Sequence, residues 1–417
     1  MPAIVCMGRA EEQMNNIMAQ TNRRAFLRFL AASPICNALA GLALAHGEID
    51  AGEIIAAPRD ALDVFDLQAT ARDALPSAHY GYLATGTNND ATLRANREAF
   101  EHYYLRSRRL IDVSNIDTRV TLLGQEWPSP IILAPAGSQR AYHDDGELAT
   151  ARAARERNHL QILSTVSSTA IEQVAEARAA PIWFQLYPSG GWDGTRQMLR
   201  RAEAAGCPAV VLTVDIPVQP FARMTLERAR RRDPRDCDSC HSGSGIAAGP
   251  RPMFAGMDSA ISTRDGPPLT WAFLEQLKNE TPMKVLVKGI VTAEDAELCV
   301  AQGVDGIIVS NHGGRADDSG RGAIDSLAEV ASVAKGRTTL LMDSGIRRGT
   351  DIITALALGA DAICIGRPYL WGLASFGQSG VERALDLLQN ELRVAMQFAG
   401  LPTLGHIGPE AIGVALN

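Results

Sequence analysis

The chain has 417 residues, long for one average domain but of the size an α/β barrel with appendages takes. Hydrophobic residues make up 46% and charged residues 21%, a balance that supports a large core and excludes a disordered chain. A formal net charge of -7 argues against nucleic-acid binding, which needs a basic surplus, and no series of long apolar segments marks a multi-span membrane protein.

Residues 1–45 read as an N-terminal extension and export signal. Arg23 and Arg24 precede a moderately apolar run from Phe29 to Ala45 that closes on Ala43-Leu44-Ala45. Paired arginines before such a run resemble a twin-arginine signal with a small-residue cleavage site, which predicts a periplasmic protein; an amphipathic surface helix is the plainer alternative. Pro34 and Asn37 make the run a poor membrane span, and residues before Thr21 look dispensable. Residues 46–417 then hold the working domain. Seven cysteines are too few for a disulfide-built scaffold of this length. Cys207, Cys299 and Cys364 sit in apolar settings and read as small core residues.

From Val64 to about Arg108 the pattern is helical, punctuated at Leu75-Pro76 and Thr85-Gly86-Thr87. Short apolar runs then alternate with helical segments to the end of the chain. The runs are Ile131 to Ala134, Gln161 to Ser164, Ile182 to Tyr187, Ala209 to Val214, Val285 to Val287, Gly306 to Val309, Thr339 to Met342 and Ala362 to Ile365. Such strands, each trailing a helix, predict a closed (β/α)8 TIM barrel rather than an open doubly wound sheet. The residues after each strand would share one face. They include Pro135, Ser164, Gln185, Tyr187, Thr213, Asp215, Lys288, His312, Arg315, Asp343, Arg347 and Arg367, a set too rich in hydrogen-bonding and ionisable groups for an inert surface. Glycines and arginines after the last two strands, Asp343 to Gly349 and Ile365 to Pro368, fit a phosphate seat.

Between the fourth and fifth strands the spacing fails: residues 219–268 form an insertion within the barrel, far longer than an ordinary connection. It is arginine-rich at first (Arg228, Arg230, Arg231, Arg232, Arg235) and Gly/Ser-rich later. Inside it, Cys237-Asp238-Ser239-Cys240-His241 has the spacing of covalent haem c attachment, with Met253 or Met257 as a second axial ligand. A local disulfide, a metal contact or two free thiols would produce the same string. Gly243-Ser244-Gly245 and Gly320-Arg321-Gly322 lack the strand-to-helix setting of a dinucleotide fingerprint, so a nicotinamide cofactor is not expected.

The stretch with the most chemistry is Val309-Ser310-Asn311-His312-Gly313-Gly314-Arg315, where a buried strand breaks into a turn carrying a histidine and an arginine. A base beside an anion clamp is what oxidation of a hydroxy carboxylate needs; a satisfied loop histidine is the bland reading of that turn alone. Together with Leu286-Val287-Lys288-Gly289, Trp183-Phe184-Gln185-Leu186-Tyr187, Thr213-Val214-Asp215 and Asp343 to Gly349, the turn resembles the FMN-dependent 2-hydroxy-acid oxidases and dehydrogenases. That family includes glycolate oxidase, lactate oxidase, mandelate dehydrogenase and the flavin domain of flavocytochrome b2. The similarity runs from about Leu75 to Gly400, outside the long loop.

The resemblance implies that His312 takes a substrate proton as a hydride or its equivalent reaches FMN, with Asp215 behind it. Arg315 would pair with the substrate carboxylate, and Tyr82 and Tyr187 would touch substrate. Lys288 would lie near flavin N1, while Ser164, Gln185 and Thr213 would bond the ring. Ala134, Pro135, Ala136 and Gly137 would support the flavin face. Asp343, Arg347, Gly366 and Arg367 would hold ribityl and phosphate, with Ser310 and Gly345 among the flavin contacts. The family's second arginine clamp is replaced here by Val218 to Arg223, which leaves Arg223 as a further substrate candidate one place out of register. Gly137 would leave a gap beside the flavin, and Ala316-Asp317-Asp318 replaces the usual residues after the active arginine.

The implied activity is oxidation of an L-2-hydroxy acid, lactate-like or larger, with electrons passing to quinone, cytochrome or oxygen. By the same resemblance the protein is a homotetramer. An FMN barrel isomerase acting on a diphosphate would need more basic residues and no His312–Asp215 pair. A non-catalytic electron-transfer barrel would have lost the base.

Overall fold

A computed structural model of the chain describes residues 52–216, 252–255 and 266–415. Arg223, Cys237, Cys240, His241, Met257 and the paired arginines Arg23 and Arg24 lie outside the described residues. The strands in chain order are β1 (Tyr103–Leu105), β2 (Val120–Leu122), β3 (Gln125–Trp127), β4 (Ile131–Leu133), β5 (Ile162–Ser164), β6 (Trp183–Leu186), β7 (Ala209–Thr213), β8 (Lys284–Ile290), β9 (Gly306–Val309), β10 (Thr339–Met342), β11 (Ala362–Ile365) and β12 (Ile412–Val414).

Strands β4 to β11 form one eight-stranded parallel sheet. A parallel bridge between Leu133 and Gln161 joins β4 to β5 and closes the barrel. Each strand is followed by a helix packed outside it: Gly146–Glu156, Ile171–Arg178, Gly191–Ala204, Trp271–Glu280, Ala293–Ala301, Ala323–Ala334, Gly349–Ala357 and Arg367–Ala399. The fold is therefore the (β/α)8 barrel that the alternation predicts. Local chemistry fixes several of the helix starts. Thr270 accepts from Phe273 N–H at 3.2 Å and Thr292 from Asp295 N–H at 3.4 Å, so side chains satisfy donors that a first helical turn leaves open.

Successive residues in a strand face opposite sides, and here that period sorts two cores. Ile132, Ile162, Trp183, Val211, Leu286, Ile308, Leu341 and Cys364, one from each strand, form a buried cluster inside the barrel. Their sequence neighbours, such as Val210, Val287, Ile307 and Leu340, belong to the larger core under the helices. The hairpin of β2 and β3 adds Leu122 and Trp127 to the inner cluster, and so plugs the end where the strands begin.

Two expectations are corrected. The helical pattern does not run to Arg108. Three helices, Val64–Ala74, Ser77–Ala84 and Ala91–Glu98, and a short 3-10 turn end at His102, and Tyr103–Leu105 pairs antiparallel with β12. Aromatic residues suit a strand once a partner exists, and that partner arrives from the far end of the chain. Met253, a candidate haem ligand, is instead a core residue, 1% exposed in the short 3-10 helix Pro252–Phe254.

Candidate active site

The same period-two rule that fills the barrel interior sets its upper rim. Two residues beyond the apolar layer, the inward positions are Ala134, Ser164, Gln185, Thr213, Lys288, Ser310, Asp343 and Gly366. Six of these carry polar side chains, and all six are buried: Ser164, Gln185, Thr213, Lys288, Ser310 and Asp343. Buried polar groups need partners, and these find one another around the rim. Ser164 Oγ donates to Gln185 Oε1 at 3.1 Å, and Gln185 Nε2 donates to Thr213 Oγ1 at 3.0 Å. Thr213 lies in register with Lys288 on β8.

Lys288 Nζ donates to Ser310 Oγ at 2.8 Å and lies 3.3 Å from Asp215 Oδ2 and 3.4 Å from Asp343 Oδ2. Burial alone would lower the Lys288 pKa, but the two carboxylates outweigh it and raise the value, so the ammonium stays charged. A bulge after Lys288 makes room for this. Gly289 has φ +108, and a Cβ there would come within 2.6 Å of the Asp215 Cβ. Only glycine lets β8 pass so close to the carboxylate.

His312 Nδ1 lies 2.8 Å from Asp215 Oδ1, and Nε2 lies 3.4 Å from Tyr187 Oη. Burial would raise the Asp215 carboxyl, but His312 and Lys288 overcome it and hold the carboxyl at about 2. An ionised Asp215 only accepts, so the Nδ1 position carries the proton and Nε2 offers its lone pair to the barrel mouth. Burial pulls the imidazole below its usual value despite the pull of Asp215, and the ring is neutral at neutral pH. A neutral imidazole with a carboxylate ready to stabilise its charged form is a competent proton acceptor.

Arg315 Nη1 donates to the carbonyls of Tyr82 at 2.7 Å and Thr85 at 3.0 Å, and its guanidinium sits 4.5 Å over the Tyr82 ring. Arg367 reaches the same segment, donating to Leu83 O at 2.8 Å, Gly313 O at 2.8 Å and Thr85 O at 3.2 Å. Two guanidiniums thus share one carbonyl. Burial and the charge of Arg315 pull Arg367 down to about 9, and an incoming carboxylate would relieve that repulsion.

The two glycine-arginine turns expected to seat a phosphate differ. Ahead of the helix Gly349–Ala357, the N–H groups of Arg347 and Arg348 both donate to Asp351, at 2.8 and 3.0 Å, and Gly349 N–H donates to Glu391 at 2.9 Å. That start is already capped. The long helix Arg367–Ala399 has no side-chain cap at Gly366, and none of the described residues lies within 4 Å of where a Gly366 Cβ would stand. Arg347 stacks 4.8 Å from the Trp371 ring, one turn into this helix, so a cation flanks the uncapped start. An uncapped helix start, an open glycine and a flanking guanidinium suit a phosphate. Together with the amide, hydroxyls and lysine of the rim, which match the polar edge of an isoalloxazine, these residues fit FMN.

Several working residues have no signal in the motifs. Glu147, 0% exposed, accepts from Gln139 N–H at 3.1 Å, Ser168 N–H at 2.8 Å, Ser168 Oγ at 2.6 Å and Thr169 Oγ at 2.9 Å, tying the exit loops of β4 and β5 together. Gln139 Nε2 then donates to Ala136 O at 3.1 Å, and Tyr369 Oη to Ala134 O at 2.9 Å, which fixes the segment Ala134, Pro135, Ala136 and Gly137 from behind. The gap expected at Gly137 is filled: a Cβ there would meet Val166 Cγ2 at 2.4 Å. Asn96 and Asn311 exchange side-chain hydrogen bonds at 2.9 and 2.7 Å, and Asp318 accepts from Asn89 N–H at 2.9 Å and Ala91 N–H at 2.7 Å. Asp317 accepts from Thr92 Oγ at 2.9 Å, so the altered pair after Arg315 fastens the helix Ala91–Glu98 over the active turn. Arg97 also donates to Gly345 O from that helix.

A barrel with a polar rim, a carboxylate-backed imidazole and an uncapped anion seat defines a flavin-dependent oxidoreductase. The sequence pattern of the FMN-dependent dehydrogenase family matches residues 71–414. An L-lactate oxidase of Lysinibacillus sphaericus is 40% identical over 350 residues, which is 81% of this chain and 89% of that protein. A 4-hydroxymandelate oxidase of Amycolatopsis orientalis is 38% identical over 340 residues, 82% of this chain and 95% of that one. A crystal structure of mandelate oxidase with benzoyl-formic acid is 35% identical and superposes with a TM-score of 0.74, covering 86% of this chain and 99% of its own. The chain belongs to the family of FMN-dependent 2-hydroxy-acid oxidases and dehydrogenases, enzymes that act on CH–OH donors.

Proposed function

We propose that the protein oxidises an L-2-hydroxy acid, lactate-like or larger, to the 2-oxo acid. The observation that carries this reading is the 2.8 Å contact between His312 Nδ1 and Asp215, which leaves Nε2 as the proton acceptor at the barrel mouth. The substrate carboxylate pairs with Arg315, whose guanidinium is already aimed by the carbonyls of Tyr82 and Thr85. That pairing sets the hydroxyl against His312 Nε2, with Tyr187 Oη as its second neighbour. As the α-hydrogen departs with its electron pair, His312 takes the hydroxyl proton and Asp215 stabilises the imidazolium. FMN, when bound, supplies the two-electron acceptor. Lys288 provides fixed positive charge at the rim, where a reduced flavin's negative charge would accumulate.

The Arg23-Arg24 segment supports export to the periplasm after folding, with a quinone, a cytochrome or oxygen there as the final acceptor. The test is an anaerobic panel of L- and D-2-hydroxy acids from glycolate to mandelate, read as bleaching of the flavin absorbance. Bleaching by an L acid with a side chain of lactate size or larger is expected. A flavin that stays oxidised with every acid overturns the reading.

A further inference from the structure

Ser344 is a non-glycine residue held at φ 79, a left-handed conformation that L side chains rarely adopt, in the turn that follows β10. Strain of this kind persists only where surrounding contacts enforce it. Two contacts do so here. Ser344 Oγ accepts from Gly313 N–H at 2.9 Å and donates to Asp343 Oδ1 at 2.7 Å. Gly313 directly follows His312, itself in the left-handed region at φ 60.

The other side of the turn is held in the same way. Ser310 Oγ accepts from His312 N–H at 2.9 Å and donates to the same Asp343 oxygen at 2.6 Å. Two successive N–H groups of the turn are thus gripped by two serine hydroxyls, and both hydroxyls end on one carboxylate oxygen. Lys288 Nζ, 3.4 Å from the other Asp343 oxygen and 2.8 Å from Ser310 Oγ, keeps that carboxylate in place. Each hydroxyl uses its single proton towards Asp343 and a lone pair towards the turn, so neither can let go without stranding a donor.

We propose that Ser344 is a positioning residue which, paired with Ser310 on Asp343, clamps the His312 turn to the β10 exit and aims the imidazole at the substrate hydroxyl. This rests on His312 as the proton acceptor. Ser344 touches neither substrate nor reacting atoms in this role. It acts by restricting a turn whose backbone would otherwise leave the left-handed region, and a base displaced by a fraction of an ångström loses rate without losing binding.

The test uses FMN-loaded full-length enzyme with S344G and S344A, beside H312A. Glycine accepts φ 79 without strain, so S344G is expected to be more thermostable than S344A while both lose the clamp. Both should show kcat reduced on the order of tenfold with KM and FMN affinity unchanged. Amide hydrogen exchange at residues 311–315 should speed up in S344G, a readout independent of turnover. Wild-type kcat in S344G overturns the proposal, as does a loss of FMN affinity with normal kcat once FMN is saturating, which would make the hydroxyl a cofactor contact. If H312A instead retains wild-type turnover, the assignment of the base has failed and not the clamp alone.

Discussion

The two ends of the barrel are built from the same eight strands and each holds a histidine whose pKa desolvation lowers, yet only one end has the makings of catalysis. At the end where the strands begin, His159 is 4% exposed and its Nδ1 lies 2.9 Å from the Ile131 carbonyl. Burial pushes its pKa down to about 4, and among the described residues no side-chain carboxylate hydrogen-bonds the ring. At the other end burial also lowers the His312 pKa, but Asp215 stands 2.8 Å behind the ring and Tyr187 faces its second nitrogen. Desolvation alone produces a neutral imidazole. A base also needs a place for the positive charge to be stabilised once the proton has arrived, and that is what β7 and the bulged β8 supply.

The largest way to break this contrast is Asp215→Asn, which gives His312 surroundings closer to those of His159. The limiting rate should fall roughly 10^2-fold or more, the range that general acid-base assistance spans. In wild type, activity should rise with pH as the imidazolium loses its proton and level off above the lowered His312 pKa, that is, from below pH 6.5. Without the carboxylate the imidazolium is less stable, so the acid limb should move to still lower pH as the plateau drops. A pH profile with unchanged plateau and limb would show that Asp215 does not act on the imidazole.

A smaller effect, on stability and not on rate, is expected at the other end. His159 has a folded pKa of about 4 against an unfolded value near 6.5, so it takes up a proton more readily in the unfolded chain. Its contribution is fully present above about pH 6.5 and lost as pH falls towards 4, by at most about 3 kcal/mol. His159→Gln keeps a donor for the Ile131 carbonyl and removes the titration. Its denaturation midpoint should depend less on pH between 7 and 4.5, with kcat unaltered. An identical slope in the variant would mean that His159 does not titrate on unfolding.

The contrast between the ends also explains what the sequence discloses. The eight barrel strands and the polar residues at their ends were legible because period two and the position just after each apolar run are local properties. His312, Arg315, Asp215 and Lys288 are readable for the same reason: each stands within a few residues of a strand end. What holds them is not local. Asn96 pairs with Asn311 across 215 positions, and Asp318 caps the helix Ala91–Glu98 from 227 positions away. Glu147 is one of two acidic residues in an amphipathic helix until the loop carrying Ser168 and Thr169 folds against it. The two glycine-arginine turns are alike as strings, and only Asp351 and Glu391, from their own helices, make the first a capped start and leave the second open.

The most direct test is the rate of anaerobic flavin reduction by an L-2-hydroxy acid in His312→Ala, measured by rapid mixing on FMN-loaded enzyme beside wild type. With the proton acceptor gone and Arg315, Lys288 and the rim intact, the variant should retain FMN and bind substrate, while the reduction rate falls on the order of 10^3-fold. Reduction at the wild-type rate would contradict the assignment of proton transfer to His312.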